Sequence, residues 1–130
     1  MHELSIAASI VDSVSEAAAA YPGARVKEVR LKIGALASVI EDSLQFCWGI
    51  TVEGTALEGS KLVIQTVPVS IHCAACGRDG ELESLQSFRC PHCGEPATDL
   101  RQGREMEIES YEIDELPNNE IAKDKVEAKI

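Results

Sequence analysis

The chain opens with a helical pattern of apolar residues. Between positions 4 and 21, apolar side chains recur at spacings of three and four residues, which places them on one face of an α-helix. The stripe consists of Leu4, Ile6, Ala7, Ile10, Val11, Val14, Ala18 and Tyr21. Pro22-Gly23 follows directly and ends the predicted helix.

Three later segments have strand patterns. Between residues 28 and 33, apolar residues alternate with charged ones, as in a half-buried strand with one face in water. Lys61 to Val67 predicts a second strand, and Arg104 to Ile113 predicts a third. In the third strand the apolar positions change parity, which indicates a bulge near Ser110.

A second helix is predicted between the first two strands. Ser38 and Glu41 have the spacing of a capping box, in which each side chain bonds to the backbone at the other's position. The helix that follows contains Leu44, Cys47, Trp48 and Thr51. We expect Cys47 to be a small buried core residue, because it lies in this apolar pattern and far from the other cysteines.

The other four cysteines form two C-x-x-C pairs, Cys73-Ala-Ala-Cys76 and Cys90-Pro-His-Cys93. Two residues between thiolates let one tight turn aim both sulfurs at one ion. Two such turns close the tetrahedral shell that structural zinc favours. A glycine follows each pair, where a knuckle turn often needs positive φ. The pattern predicts zinc binding, with two disulfides as the alternative in an oxidising compartment.

Together these patterns predict an α+β fold: a small three-stranded sheet with two helices, plus an inserted zinc-ribbon module with four cysteine ligands. Residues 1–68 and 104–113 are expected to form the α+β domain, and residues 69–103 the inserted zinc-binding domain. Residues 114–130 form a C-terminal extension, whose mixed charges indicate a solvated tail or helix. We assign this extension no function.

Composition and charge restrict the partners. The 130 residues are 45% apolar and carry a formal net charge of −10, which disfavours binding to nucleic acid or to an anionic membrane. The first twenty-one residues contain no Lys or Arg, unlike a secretory signal, and no apolar run approaches the ~20 residues that span a bilayer. We therefore expect a cytoplasmic protein, in which paired cysteines more often hold metal.

We expect no enzymatic activity. The sequence contains no G-x-S-x-G element, no phosphate-binding P-loop and no H-E-x-x-H motif. A zinc ion held by four cysteines also lacks the open coordination position that catalysis needs.

A second group of potential metal donors lies at the N-terminus, in Met1-His2-Glu3. The α-amine, the amide nitrogen of His2 and Nδ1 of its ring can chelate one ion nearly in a plane. Planar nitrogen donors suit Ni(II) or Cu(II) and suit zinc poorly. Glu3 could add a donor or steady the ring. His72 and His92 flank the cysteine pairs and could lend a further donor, although exposed knuckle residues are the simpler interpretation.

These residues resemble the HypA/HybF family of hydrogenase nickel-incorporation proteins. The similarity covers roughly residues 1–113, with the start Met1-His2-Glu3-Leu4-Ser5 and the C-x-x-C…C-P-x-C-G insert as its most specific elements. The segment Val29-Arg30-Leu31-Lys32-Ile33-Gly34 is also similar to the family's pattern, as is Asp42-Ser43-Leu44-Gln45-Phe46.

The resemblance implies a nickel metallochaperone that delivers Ni(II) for maturation of [NiFe]-hydrogenase. Its implied site residues are His2 as the nickel ligand, Met1 and Glu3 as auxiliary nickel residues, and Cys73, Cys76, Cys90 and Cys93 as ligands of structural Zn(II). The implied partners are the GTPase HypB, the hydrogenase large subunit and, in some organisms, urease maturation proteins. The alternative is a zinc-ribbon adaptor or regulatory protein with no nickel role, in which His2 is incidental.

Overall fold

The first helix is shorter than the sequence pattern predicts. The computed structural model describes residues 3–82, 87–114, 123–124 and 128–130, and helix α1 spans Glu3–Ala18. Beyond Ala18 the backbone hydrogen bonds of the helix change to the tighter i→i−3 type, such as Tyr21 N–H to Ala18 O at 2.9 Å. Gly23 then turns the chain with φ of 83°. The predicted stripe is buried except at its start, where Leu4 is 54% exposed, and at its end, where Tyr21 is half-buried.

The second helix lacks the predicted capping box. Helix α2 spans Glu41–Thr51 with Ile40 at the N-cap, and no side chain caps it. Glu41 is therefore the first helical residue and not the third, so its carboxylate cannot reach back to the N-cap amide. Ser38 instead adopts positive φ of 58° in the preceding turn. Cys47 was expected in the core and is only half-buried, because α2 directs Leu44 and Trp48 inward.

The three long strands form the predicted sheet. Strands β1 (Val26–Gly34), β2 (Lys61–Val67) and a third at Met106–Ile113 lie in the order second, first, third, which confirms the predicted α+β class. Their buried side chains are Val26, Val29, Leu31, Ile33, Leu62, Ile108, Tyr111 and Ile113. Burial in the third strand changes parity between Ile108 and Tyr111, where the sequence pattern also changes.

A smaller sheet lies in the inserted segment. Strands β3 (Ser70–His72), β4 (Asp79–Glu81) and β5 (Asp99–Gln102) are antiparallel, with β3 in the centre. The long third strand of the main sheet, Met106–Ile113, is therefore β6. Because β2 precedes the insert and β6 follows it, the insert interrupts one sheet in sequence.

The C-terminal extension adds short strands to the main sheet. Strands β7 (Lys123–Asp124) and β8 (Ala128–Lys129) both pair antiparallel with β6. These four residues are extended and not helical, whereas residues 115–122 and 125–127 of the predicted solvated tail or helix lie outside the described residues. The backbone register pairs Glu112 with residue 123 and Glu107 with residue 129, so the extension supplies backbone partners along the edge of β6 that faces away from β1.

The chain divides into two compact units. The first contains residues 1–32, 39–65 and 107–130, and the second contains residues 33–38 and 66–106. Within the described ranges, no helix is long and apolar enough to cross a membrane.

Both ends of the insert are bonded to Gly34, the last residue of β1, and to the two residues that follow it. Gly34 N–H donates to Glu105 O at 2.7 Å, Ala35 N–H to Val67 O at 2.9 Å and Leu36 N–H to Gly103 O at 2.8 Å. Close packing accompanies these bonds, because a Cβ on Gly34 would lie 2.2 Å from the carbonyl carbon and oxygen of Gly103. Only glycine fits at position 34 without moving backbone.

We predict that Gly34→Ala lowers the free energy of unfolding by at least ~2 kcal/mol, because the new methyl group would collide with backbone. Gly49→Ala is the matched control. Gly49 lies in α2 with no atom within 4 Å of its added Cβ, so alanine should stabilise the protein by up to ~1 kcal/mol through helix propensity. Urea unfolding of both variants checks this, and equal effects would contradict it.

Candidate metal centre

Each cysteine pair sits on a turn closed by the same two backbone bonds. In the first turn, Gly77 N–H donates to Cys73 O at 2.7 Å and Cys73 N–H donates to Arg78 O at 2.9 Å. The bond from Gly77 back to Cys73 turns the chain so that Cys76 faces the same side as Cys73. Gly77 has φ of 72°, as the sequence predicts for this position.

The second turn repeats this pattern. Gly94 N–H donates to Cys90 O at 2.9 Å, and Cys90 N–H donates to Glu95 O at 2.8 Å. Gly94 has φ of 78°. In both turns the first cysteine is buried and the second is exposed. The four sulfurs therefore converge at the surface of the insert, with two of them anchored in its interior.

The sulfur positions fit a tetrahedral metal shell. All four Sγ atoms lie within 4.8 Å of one another, and the Cys73–Cys93 and Cys76–Cys90 separations are 3.6 and 3.7 Å. With metal–sulfur bonds of ~2.3 Å, the edges of a tetrahedral shell are about 3.8 Å. All five cysteines of the chain are free, so the disulfide alternative is not adopted. Tetrahedral thiolate shells suit zinc or iron and not oxygen-seeking cations.

The thiols ionise unequally in the absence of a cation. Desolvation disfavours the Cys90 thiolate, but the amide groups of Cys93 and His92 and the neighbouring thiols outweigh it and lower its pKa to about 6. The Glu95 amide favours the Cys93 thiolate, yet desolvation and the thiols of Cys73 and Cys90 raise its pKa to about 12.

The pKa of the Cys76 thiol is raised for the same physical reasons as the pKa of Cys93. The Arg78 amide favours its thiolate, but desolvation and the neighbouring Cys90 and Cys73 thiols raise the Cys76 pKa above the usual value. The lowered pKa of Cys90 and the raised pKa values of Cys76 and Cys93 mean that Cys90 ionises more readily than the other two. A dication among the sulfurs would offset the mutual repulsion of the ionised sulfurs and allow all four to bind as thiolates.

The two histidines beside the cysteine pairs already have partners within the insert. His72 Nδ1 lies 2.6 Å from Asp79 Oδ1, and His92 Nε2 lies 3.1 Å from Asp79 O. Asp79 was not singled out from the sequence. Its role follows from the β3–β4 register, which places it opposite His72. Each imidazole thus uses one ring nitrogen to bond to Asp79, which fixes the orientation of the ring within the insert.

The predicted nickel residues are only partly described. Met1 and His2 lie outside the described residues, whereas Glu3 is the first residue of α1 and is half-buried. Glu3 lines a groove with Leu4 of α1 and with four residues of α2: Asp42, Ser43, Phe46 and Cys47. Helical backbone therefore begins one residue after His2.

Comparison with known proteins agrees with this geometry. Residues 1–113 match the family model described as HypA, hydrogenase/urease nickel incorporation, metallochaperone. The chain is 45% identical over 112 residues to the hydrogenase maturation factor HypA of Chloroflexus aggregans, covering 86% of this chain and 98% of that protein. It is 42% identical over 111 residues to the Streptomyces avermitilis protein of the same name, covering 85% of each.

Solved structures share the fold at lower sequence identity. The solution structure of the Ni metallochaperone HypA from Helicobacter pylori is 21% identical, with a TM-score of 0.58 over 85% of this chain and 96% of that one. A second solution structure, of a HypA protein, is also 21% identical, with a TM-score of 0.62 over 85% and 94%.

We predict that Cys90→Ser reduces bound metal, measured by elemental analysis of the purified chain, to less than about a tenth of the wild-type content. Loss of one buried ligand opens the tetrahedral shell. The same substitution at Cys47 is the control, because that thiol lies in α2 and outside the four-sulfur cluster. Full metal retention by Cys90→Ser, or equal loss by both variants, would show that the cluster is not the site.

Proposed function

The chain belongs to the HypA family, and on that premise we propose that it binds Ni(II) at its N-terminus and delivers it for maturation of [NiFe]-hydrogenase. The observation that carries this proposal is the family match over residues 1–113, which includes both the Met-His-Glu start and the two cysteine pairs. Neither element alone is specific, since Met-His occurs by chance and doubled cysteine pairs occur in many zinc modules.

His2 is the proposed nickel ligand, with Met1 and Glu3 as auxiliary residues. The Met1 amine, the His2 amide nitrogen and His2 Nδ1 form a near-planar nitrogen set, which suits Ni(II) more than zinc. The start of α1 at Glu3 supports the proposal, because ligands next to a regular element lose less freedom on binding than those on a long flexible tail. A planar set of nitrogen donors also leaves coordination positions of the Ni(II) ion open. A ligand from a partner protein can bind there and take over the nickel.

Zn(II) is the proposed resident metal of Cys73, Cys76, Cys90 and Cys93, with a structural role. The insert has a small core: among its described residues Val69, Ile71, Cys73, Cys90 and Ala97 are buried, with Leu82 and Leu100 packed against the cysteine cluster. Two of those five are proposed metal ligands, so the apolar side chains alone bury little surface. We accordingly assign residues 69–103 as the zinc-binding domain and residues 1–68 with 104–113 as the nickel-binding domain.

The proposed partners are the GTPase HypB, the hydrogenase large subunit and, where urease is present, urease maturation proteins. A net charge of −10 argues against partners with phosphate backbones. A four-cysteine shell has no open position for substrate, so we assign the chain a carrier role and no catalytic one. The proposed location is the cytoplasm, where thiol ligands stay reduced.

We predict that His2→Ala weakens nickel binding by more than ~100-fold in isothermal titration. Even second-shell partners of a metal change affinity by 10–100-fold, so loss of a direct ligand should exceed that range. His72→Ala and His92→Ala are the controls and should stay within about threefold of wild type, because neither imidazole belongs to the planar nitrogen set of the N-terminus. Unchanged affinity in His2→Ala would refute the assignment.

Blocking the N-terminus separates a nickel carrier from a zinc-ribbon adaptor. A short Gly-Ser extension before Met1 removes the terminal amine from the chelate but leaves the cysteine cluster untouched. A carrier should then lose its nickel and keep its zinc. An extended protein that still restores hydrogenase activity to a deletion strain would favour the adaptor.

A further inference from the structure

One face of the two helices exposes large apolar side chains. Phe46 is 73% exposed, Leu4 is 54% exposed and Ile50 is 52% exposed. Phe46 and Ile50 are four residues apart on α2, so they lie on adjacent turns of one helix face. We call Leu4, Phe46 and Ile50 the helix-face patch. Single exposed apolar residues are ordinary on a surface, but contiguous ones are typical of interaction sites.

A groove makes the helix-face patch continuous across the two helices. Leu4 of α1 and Phe46 of α2 line the same open groove of about 440 Å³, together with Glu3, Asp42, Ser43 and Cys47. The groove is large enough to accept an apolar side chain from another molecule. Its floor combines apolar groups with a thiol and a hydroxyl, and its two charged members are both acidic.

Every charged side chain near the patch in sequence is acidic. All 12 Lys and Arg residues of the chain lie outside residues 1–24 and 33–60, the segments that contain both helices. The same segments contain Glu3, Asp12, Glu16, Glu41, Asp42, Glu53 and Glu58. Glu41 and Asp42 are both exposed in the first turn of α2, next to the groove. The patch is thus apolar with an acidic border.

We propose that the helix-face patch is the docking site for a protein segment with a large apolar side chain flanked by Lys or Arg. The apolar side chain would enter the groove against Leu4 and Phe46, and the basic groups would pair with Glu41 and Asp42. Such complementarity speeds association and excludes acidic competitors. The inference rests on the proposed function, because it places the partner beside Glu3, a proposed auxiliary nickel residue.

Charge selects this occupant over the alternatives. A second copy of the chain docking through the same patch would bring two acidic borders together without a compensating Lys or Arg from either helix. An anionic lipid surface or a nucleic acid would meet the same repulsion. A basic amphipathic segment gains from both the apolar patch and its border.

The test measures binding of two purified probes, the GTPase HypB and the hydrogenase large-subunit precursor, to the full-length chain. Phe46→Ala with Ile50→Ala should weaken binding of at least one probe by ~10-fold or more, as expected for a central aromatic anchor. Both side chains are more than half exposed, so the fold should tolerate their truncation. Phe88→Ala, an exposed aromatic residue of the insert, is the matched control and should bind as wild type.

Charge is tested separately. Asp42→Lys should weaken binding several-fold, and Glu81→Lys, an exposed acidic position in β4, should not. Raising the salt from about 0.1 M to about 1 M shortens the Debye length from ~10 Å to ~3 Å and should weaken wild-type binding. Salt-independent affinity together with an unaffected Asp42→Lys variant would overturn the proposed basic partner.

Three further results would overturn the docking site. They are wild-type binding by the Phe46→Ala, Ile50→Ala variant, no binding of either probe to the wild-type chain, and a wild-type dimer in sedimentation that the variant abolishes.

Nickel titration of the same samples keeps the two proposals distinguishable. A variant that loses the partner and keeps nickel supports the docking site, whereas a wild-type chain that binds the partner through the patch without binding nickel refutes the proposed function alone.

Discussion

Convergence of four sulfurs on one point is the constraint on which the insert depends. The described residues of the insert bury only Val69, Ile71 and Ala97 besides two of the cysteines, with Leu82 and Leu100 partly buried, which is too little to order about forty residues. Metal binding of the order of ~10–16 kcal/mol, as in small zinc modules, is large enough to supply the difference. Desolvation and the neighbouring thiols raise the pKa values of Cys76 and Cys93, despite the backbone amide bonds that favour their thiolates.

Each of the two units carries its own set of constraints. In the unit that holds the cysteines, backbone bonds from Gly34, Ala35 and Leu36 fix both the entry to the insert and its exit, and the contact at Gly34 leaves no space for a side chain. In the other unit, α1 and α2 bury their apolar faces but leave Phe46 and Ile50 exposed within an acidic border. The proposed structural metal is thus assigned to one unit, and the proposed nickel donors and docking surface are assigned to the other.

The features predicted correctly from the sequence are those fixed by local spacing. The alternation in β1 and β2 and the glycine after each cysteine pair depend on residues a few positions apart, and the structure agrees with them. The α+β class followed from the same patterns together with the resemblance to a family. The cysteine spacing likewise anticipated the cluster, because a turn of this length has few ways to orient two sulfurs.

Predictions that depended on tertiary context were less accurate. The capping box failed because α2 begins two residues later than its spacing required, and Cys47 is half-buried because it borders a groove that periodicity does not reveal. The pairing of residues 123–124 and 128–129 with β6 depends on the folded sheet, and the position of Asp79 depends on the β3–β4 register and on His92, 13 residues away. Leu4 was expected to be buried because it belongs to the apolar stripe, but it is exposed. The stripe alone does not show where the packed part of the helix face ends.

The central claim is that the two metals occupy chemically separate shells. X-ray absorption at the zinc and nickel edges of the full-length protein, loaded with one equivalent of nickel, tests it most directly. We expect the zinc spectrum to contain only sulfur neighbours at ~2.3 Å and the nickel spectrum to contain only nitrogen and oxygen neighbours. Sulfur in the nickel shell, or loss of sulfur from the zinc shell when nickel is added, would contradict the separation.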